Sequence, residues 1–205
     1  MTEPPLLPAQ RHALYASVGA AILGWARLEL QLQLLFLHVS GRTQGAALTI
    51  WERLRSFEPK FQSLNAIAKT AFKDDPHKTD WRLVHDEVLA ANKLRNKIAH
   101  SSMLTSHDGR MYVLPFFSLS RIDEDKLFSA DIDTITNRID EIRRCVQWIE
   151  FRHRNSETQR QEWREQEPDL IRRLRARDVQ SREAQRHRAL AWRQYLDRNP
   201  DLKLP

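Results

Sequence analysis

Apolar residues recur every three or four positions through most of the chain, the spacing of amphipathic helices. The first such stripe is Leu14, Val18, Ala21, Ile22, Trp25, Leu28, Leu32, Leu35 and Phe36, which predicts a helix over about 10–40 stopped by Gly41. A second, over about 44–73, carries Ile50, Leu54, Phe57, Phe61, Leu64 and Ile67, with a kink or break expected near Glu58 because Pro59 lies inside it. The third predicted helix starts at Thr79 or Asp80, either a good N-cap, and ends near Ser101. The period then changes. Met103–Ser106 and Met111–Leu119 flank Asp108-Gly109, a strong two-residue turn signal, and Pro115 marks the return strand as an edge. A fourth helix, about 129–151, has Ile132, Ile135, Ile139, Ile142, Val146 and Ile149 on one side. The expected fold is all-α: an antiparallel four-helix bundle, residues 1–151, with a small β-hairpin after the third helix.

From Arg152 the pattern degrades into arginines interleaved with Glu, Gln and Asp, with only Leu170, Leu174, Leu190, Trp192 and Leu196 adding apolar weight. Residues 152–205 therefore read as an Arg-rich, helical C-terminal extension, solvated and packing on a partner or not at all. The sharper alternative is an arm contacting nucleic acid, where arginines meet phosphates and Trp163 or Trp192 stacks on bases. Charge supports this division. The extension holds 14 Lys/Arg against 9 Asp/Glu, and the first 151 residues hold 19 against 18.

Composition narrows the chemistry. The one cysteine, Cys145, excludes an internal disulfide framework and a cysteine-rich zinc site, and its place in the fourth helix reads as a buried free thiol. No His-x-x-x-His or carboxylate cluster appears, so no metal ligands or other cofactor are expected, and His77 and His107 fall in predicted solvated loops. The most apolar stretch, Ala13–Val39, is interrupted by Arg27, Glu29, Gln31 and Gln33, so it reads as a core helix and not a membrane span. Without a signal-peptide pattern, the cytoplasm is the expected location. A helix-turn-helix with a basic recognition helix is missing, which counts against sequence-specific DNA binding.

The third helix carries the chemistry. With Trp81 at zero and roughly 100° per residue, Val84, Val88, Ala91 and Ile98 share one arc, and Arg95 falls inside it at about 320°. A guanidinium there requires a partner or a polar cleft. His85, Asn92, Asn96 and His100 form a neighbouring strip. Asn96 and His100 are four apart, so the amide can reach the imidazole. Arg95 and His100 are five apart, about 140° around an ideal helix, and converge only if the helix end unwinds or a second copy completes the site. Two antiparallel copies of this helix would line one cleft suited to metal-free RNA cleavage. Histidine would take a proton from a ribose 2′-hydroxyl and return one to the leaving 5′-oxygen, while arginine neutralises the phosphoryl charge. With 25 arginines and 8 histidines in 205 residues, one such pair is expected about once by chance, and Arg182 with His187 repeats the spacing in the tail. Only Arg95 lies on an amphipathic core helix with Asn96 after it and a hairpin following.

Arg95-Asn96-Lys97-Ile98-Ala99-His100 resembles the Arg-x4-6-His motif of HEPN domains, and Trp25-Ala26-Arg27-Leu28-Glu29 resembles the helix preceding the motif helix in some bacterial members. The resemblance covers the order of elements over about 10–151. It implies an all-helical, usually dimeric fold, and a metal-independent endoribonuclease of the kind found among toxins and phage-defence effectors, with RNA as substrate. Arg95 and His100 would be catalytic, Asn96 would support the histidine, and Glu29 would be the acidic residue some members place on the first helix; His85 and Asn92 flank them. An antitoxin or regulatory protein would be a fitting partner. Ser102 stands where one toxin subgroup has a tyrosine, which counts against that subgroup and its nucleotidyltransferase antitoxin. Against catalysis stands a bland reading: His100 caps a helix C-terminus, Arg95 pairs with Glu29 inside the bundle, and the protein is a non-catalytic dimeric RNA- or protein-binding module.

Overall fold

The computed structural model describes residues 8–73, 77–107, 109–115, 126–154 and 167–198. These form an all-α structure with one two-stranded antiparallel hairpin: α1 (Pro8–Val39), α2 (Gln44–Arg53), α3 (Phe57–Ala71), α4 (His77–Ala99), β1 (Ser101–Thr105), β2 (Met111–Pro115), α5 (Ser129–Arg154) and α6 (Asp169–Arg198).

α1 packs chiefly against α5, and α5 against α4. Trp25, Leu28, Leu32, Leu35 and Phe36 of α1 are buried with Ile132, Ile139, Ile142, Val146 and Ile149 of α5, as their helical spacing predicts. Cys145 is buried among them as a free thiol. α1 ends where Gly41 adopts a φ of +62°, a left-handed conformation that costs glycine nothing. Ala9–Val39 is by length and composition apolar enough to cross a membrane. Its apolar residues are not confined to the core side: Ile22, expected inside, is exposed, together with Tyr15, Leu23, Leu30 and Leu34.

The predicted second helix is two helices. The break falls at 54–56, three residues before Pro59, and Pro59 occupies the first turn of α3, where its missing N–H costs no hydrogen bond. The break shifts the apolar phase, so Ala47 and Trp51 are buried in α2 and Ile50 is exposed.

In the hairpin, Ser101 pairs with Pro115 and Thr105 with Met111. Ser106 N–H donates to the Arg110 carbonyl at 2.8 Å, so the strands close outside the expected two-residue turn. Gly109 takes a φ of +80°, the left-handed residue that a three-residue hairpin loop requires. Asp108 and the expected continuation of the return strand over 116–119 lie outside the described residues. Leu127 exchanges two backbone hydrogen bonds with Val113, so β2 is met on both sides at that point.

The start of α4 corrects one expectation and the terminal helix another. Asp80 is not an N-cap. It is the fourth residue of α4, 1% exposed, and Arg175 of α6 grips its two carboxylate oxygens with bonds of 2.6 Å each. Arg152 stands 3.6 Å away, and Arg175 also bonds Glu167 at 2.7 Å. Leu170, Ile171 and Leu174 are buried beside this network. The root of the Arg-rich extension is therefore part of the folded body, because a buried carboxylate requires the charged, bidentate partner that Arg175 supplies.

Candidate functional site

Val84, Val88, Ala91 and Ile98 are all buried, and Arg95 sits half-buried on the same face of α4. Its guanidinium carbon lies 5.7 Å from the ring centroid of Trp25 on α1, within cation–π range. Trp25 is 1% exposed and is braced edge-on by Phe57 at 4.9 Å. Arg95 Nη1 donates to Asn96 Oδ1 at 2.9 Å. Among the described residues Arg95 makes no ion pair with Glu29 or any other carboxylate, and its Nε–H is buried with no acceptor. The Trp25 indole N–H is likewise buried without a partner. Two donors on one α1–α4 contact are thus left without an oxygen.

Such a group is costly. A buried unsatisfied donor forfeits about 1–3 kcal/mol, and more when charged. Native structures tolerate few of them. The sequence locates Arg95 in the apolar arc but does not identify Trp25 as its seat, because Trp25 also satisfies the core stripe of α1. The clue was available: an arginine among apolar neighbours without a carboxylate needs an aromatic face.

His100 follows the last residue of α4 and is exposed. Its backbone N–H still donates to the Asn96 carbonyl at 3.1 Å, so the helix stays wound from Arg95 to His100. The roughly 140° between the two side chains therefore persists, with about 7.5 Å of rise along the axis. Asn96, exposed, is engaged by Arg95, and the hydrogen bond expected between Asn96 and the His100 ring is not among those the described residues make. Asn92 is half-buried one turn before Asn96. Glu29 is half-buried on α1, one turn beyond Trp25.

His85 stands apart, about 15 Å along the axis from Arg95. Its ring stacks on Phe61 at 5.0 Å, and its Nδ1 lies 3.0 Å from Asp86. The polar strip is therefore divided: Arg95 on Trp25 with Asn96 bonded to it and Asn92 one turn before Asn96, and His85 against α3.

A histidine group elsewhere was not anticipated. His38 Nε2 lies 3.1 Å from His153 Nδ1 where α1 and α5 end, with Phe72 edge-on to His153 at 4.9 Å. Burial, and then the charge of Arg154, hold the His38 pKa below its usual value of 6.5. His77, expected in a solvated loop, is the first residue of α4 and packs against Phe72 and His153; His107 lies in the exposed hairpin turn. Among the described residues no group of three or more His, Cys, Asp or Glu is placed to hold a metal ion. A depression of about 390 Å³ lined by Glu141, Asp169, Arg172 and Arg173 is charge-balanced, since Arg172 pairs with Asp169 and Arg173 with Glu141. It leaves no group for chemistry.

No family model matches this chain, and neither does any curated protein or solved structure.

Proposed function

We propose that the chain is a HEPN-like RNA-cleaving domain, built on an antiparallel four-helix bundle and acting as a dimer. One observation carries this reading: the partly exposed Arg95 guanidinium sits on Trp25 with no carboxylate partner among the described residues. A non-bridging phosphate oxygen is the acceptor that a charged, planar donor of this kind selects.

Proton transfer falls to His100, whose exposed imidazole has no competing internal bond among the described residues. In neutral form it removes the proton from a ribose 2′-hydroxyl. The 2′-oxygen attacks phosphorus, the bond to the 5′-oxygen breaks, and that oxygen takes a proton from the imidazolium so formed. The products are a 2′,3′-cyclic phosphate and a 5′-hydroxyl. Arg95 stabilises the charge that builds on the phosphoryl oxygens.

The 140° between Arg95 and His100 is the reason for invoking a second copy, since each would meet the other residue across a shared cleft. α1 supplies a surface for that copy. Ile22 and Leu30 are exposed apolar residues on it. Toxin or phage-defence use, with an antitoxin or regulatory protein in attendance, is the biological setting this reading suggests.

The test incubates wild type, Arg95→Ala and His100→Ala with total RNA in EDTA and analyses product ends. Cutting to cyclic-phosphate ends by wild type alone supports the reading. A folded wild type that binds RNA without cutting it would favour the non-catalytic module, and equal cutting by all three proteins would refute the assignment.

A further inference from the structure

The terminal helix divides sharply into a docked root and a free shaft. Its first two turns bury Leu170, Ile171 and Leu174, and Arg175 clamps the buried Asp80. Among the described residues the last tie to the body is Arg82 to Asp178 at 2.7 Å. From Val179 to Ala191 every residue is exposed, and the helix runs on to Arg198. Twenty residues of helix extend roughly 30 Å.

Positive charge is in surplus on the shaft. Between 179 and 198 the sequence has five arginines against two acidic residues. Arg182 and Arg186 are four apart on one stripe, and Arg188 lies one turn past Ala184, to whose carbonyl its Nε donates at 3.3 Å. Asp178 at the root is shared by Arg82 and Arg182, and Arg186 carries no carboxylate partner among the described residues. A tail serving only for solubility needs no buried bidentate clamp. The clamp fixes the direction in which these cations are presented.

We infer that the free shaft of α6 is an RNA-binding arm that contacts the sugar–phosphate backbone through Arg182, Arg186 and Arg188. The choice of RNA over other polyanions rests on the ribonuclease reading; the charge complementarity does not. Contacts of this type are sequence-independent, salt-sensitive and additive, so the arm would raise affinity without choosing the cleavage site.

The experiment measures binding rather than cutting, with the full chain carrying His100→Ala and a short fluorescent single-stranded RNA followed by anisotropy over a series of salt concentrations. Replacing all three arginines by glutamine should leave the helical circular dichroism of the body intact and weaken binding. It should also make the slope of log K against log salt shallower by about 2, from roughly 0.7 per lost phosphate contact. The matching lysine variant should keep the parent slope. Unchanged affinity and slope in the glutamine variant would overturn the inference, as would a parent that binds no RNA at low salt. So would loss of self-association with RNA binding intact, which would make the shaft a contact between copies. Since the probe is never cut, the arm and the cleavage site fail separately: a wild type that cuts while the glutamine variant binds normally removes only the arm.

Discussion

Replacing Arg95 by methionine separates a residue kept for chemistry from one kept for stability. The arginine makes one cation–π contact with Trp25, worth about 0.5–1 kcal/mol, and one hydrogen bond to the exposed Asn96, worth about 0.5 kcal/mol at that position. Against these stands a buried Nε–H without an acceptor, at a cost of about 1–3 kcal/mol. Methionine removes the orphaned donor, follows much the same path over the indole, and regains about 0.3–1.5 kcal/mol of sulfur–aromatic contact. The sum lies between no change and a gain of about 3.5 kcal/mol, each kcal/mol being worth about 2–4 °C in Tm for a chain of this size. Urea unfolding followed by circular dichroism, at matched protein concentration, reads this as an unchanged or raised midpoint at constant slope. Had Arg95 been half of a buried ion pair with Glu29, the same substitution would cost about 3–5 kcal/mol. A loss above about 2 kcal/mol would therefore refute the reasoning, because it would mean the guanidinium is satisfied within the folded chain.

Three further outcomes follow from the same contacts. Asp80→Ala removes a buried carboxylate bonded twice by Arg175; because Arg175 keeps Glu167 and is a third exposed, the expected loss is about 3 kcal/mol, the low end for a broken buried pair, with early tryptic cleavage after Arg173 and Arg175 as a second readout. His38 has a folded pKa below 6.5, so as pH falls through 6.5 the unfolded chain takes up the proton first. The stability contributed by the neutral His38 is thus complete above 6.5 and lost below it, and the fall in Tm between neutral pH and pH 5.5 should be smaller in His38→Gln. Burial pushes the Cys145 thiol up to about 12, so an alkylating reagent should leave it unmodified in the folded chain and label it fully in urea.

The helical class was legible because periodicity reports burial directly, and the α5 stripe from Ile132 to Ile149 is buried as its spacing required. Boundaries were less legible. Pro59 signals that a helix must begin or break nearby, yet its tolerance in a first turn placed the break before it, at 54–56. Asp80 illustrates a deeper limit. An aspartate near a helix start satisfies the rule for a cap, and only the return of Arg175, 95 residues later, reveals an ion pair. The candidate site divides the same way. A helical wheel puts Arg95 on the apolar arc of α4, but its seat on Trp25 joins two helices that no local pattern connects. His85 shares a strip with Asn92 and Asn96 in projection while lying two turns or more away along the axis, a separation that angles alone do not convey.

The most direct test of a cleft shared between two copies mixes two inactive chains. Arg95→Ala and His100→Ala, unfolded and refolded together, are assayed on RNA in EDTA beside each variant alone. If Arg95 of one subunit works with His100 of the other, a mixed dimer retains one intact arginine and one intact histidine facing each other, and cutting to 2′,3′-cyclic phosphate ends returns. An active wild type whose mixed variants remain as inactive as either alone would contradict the account.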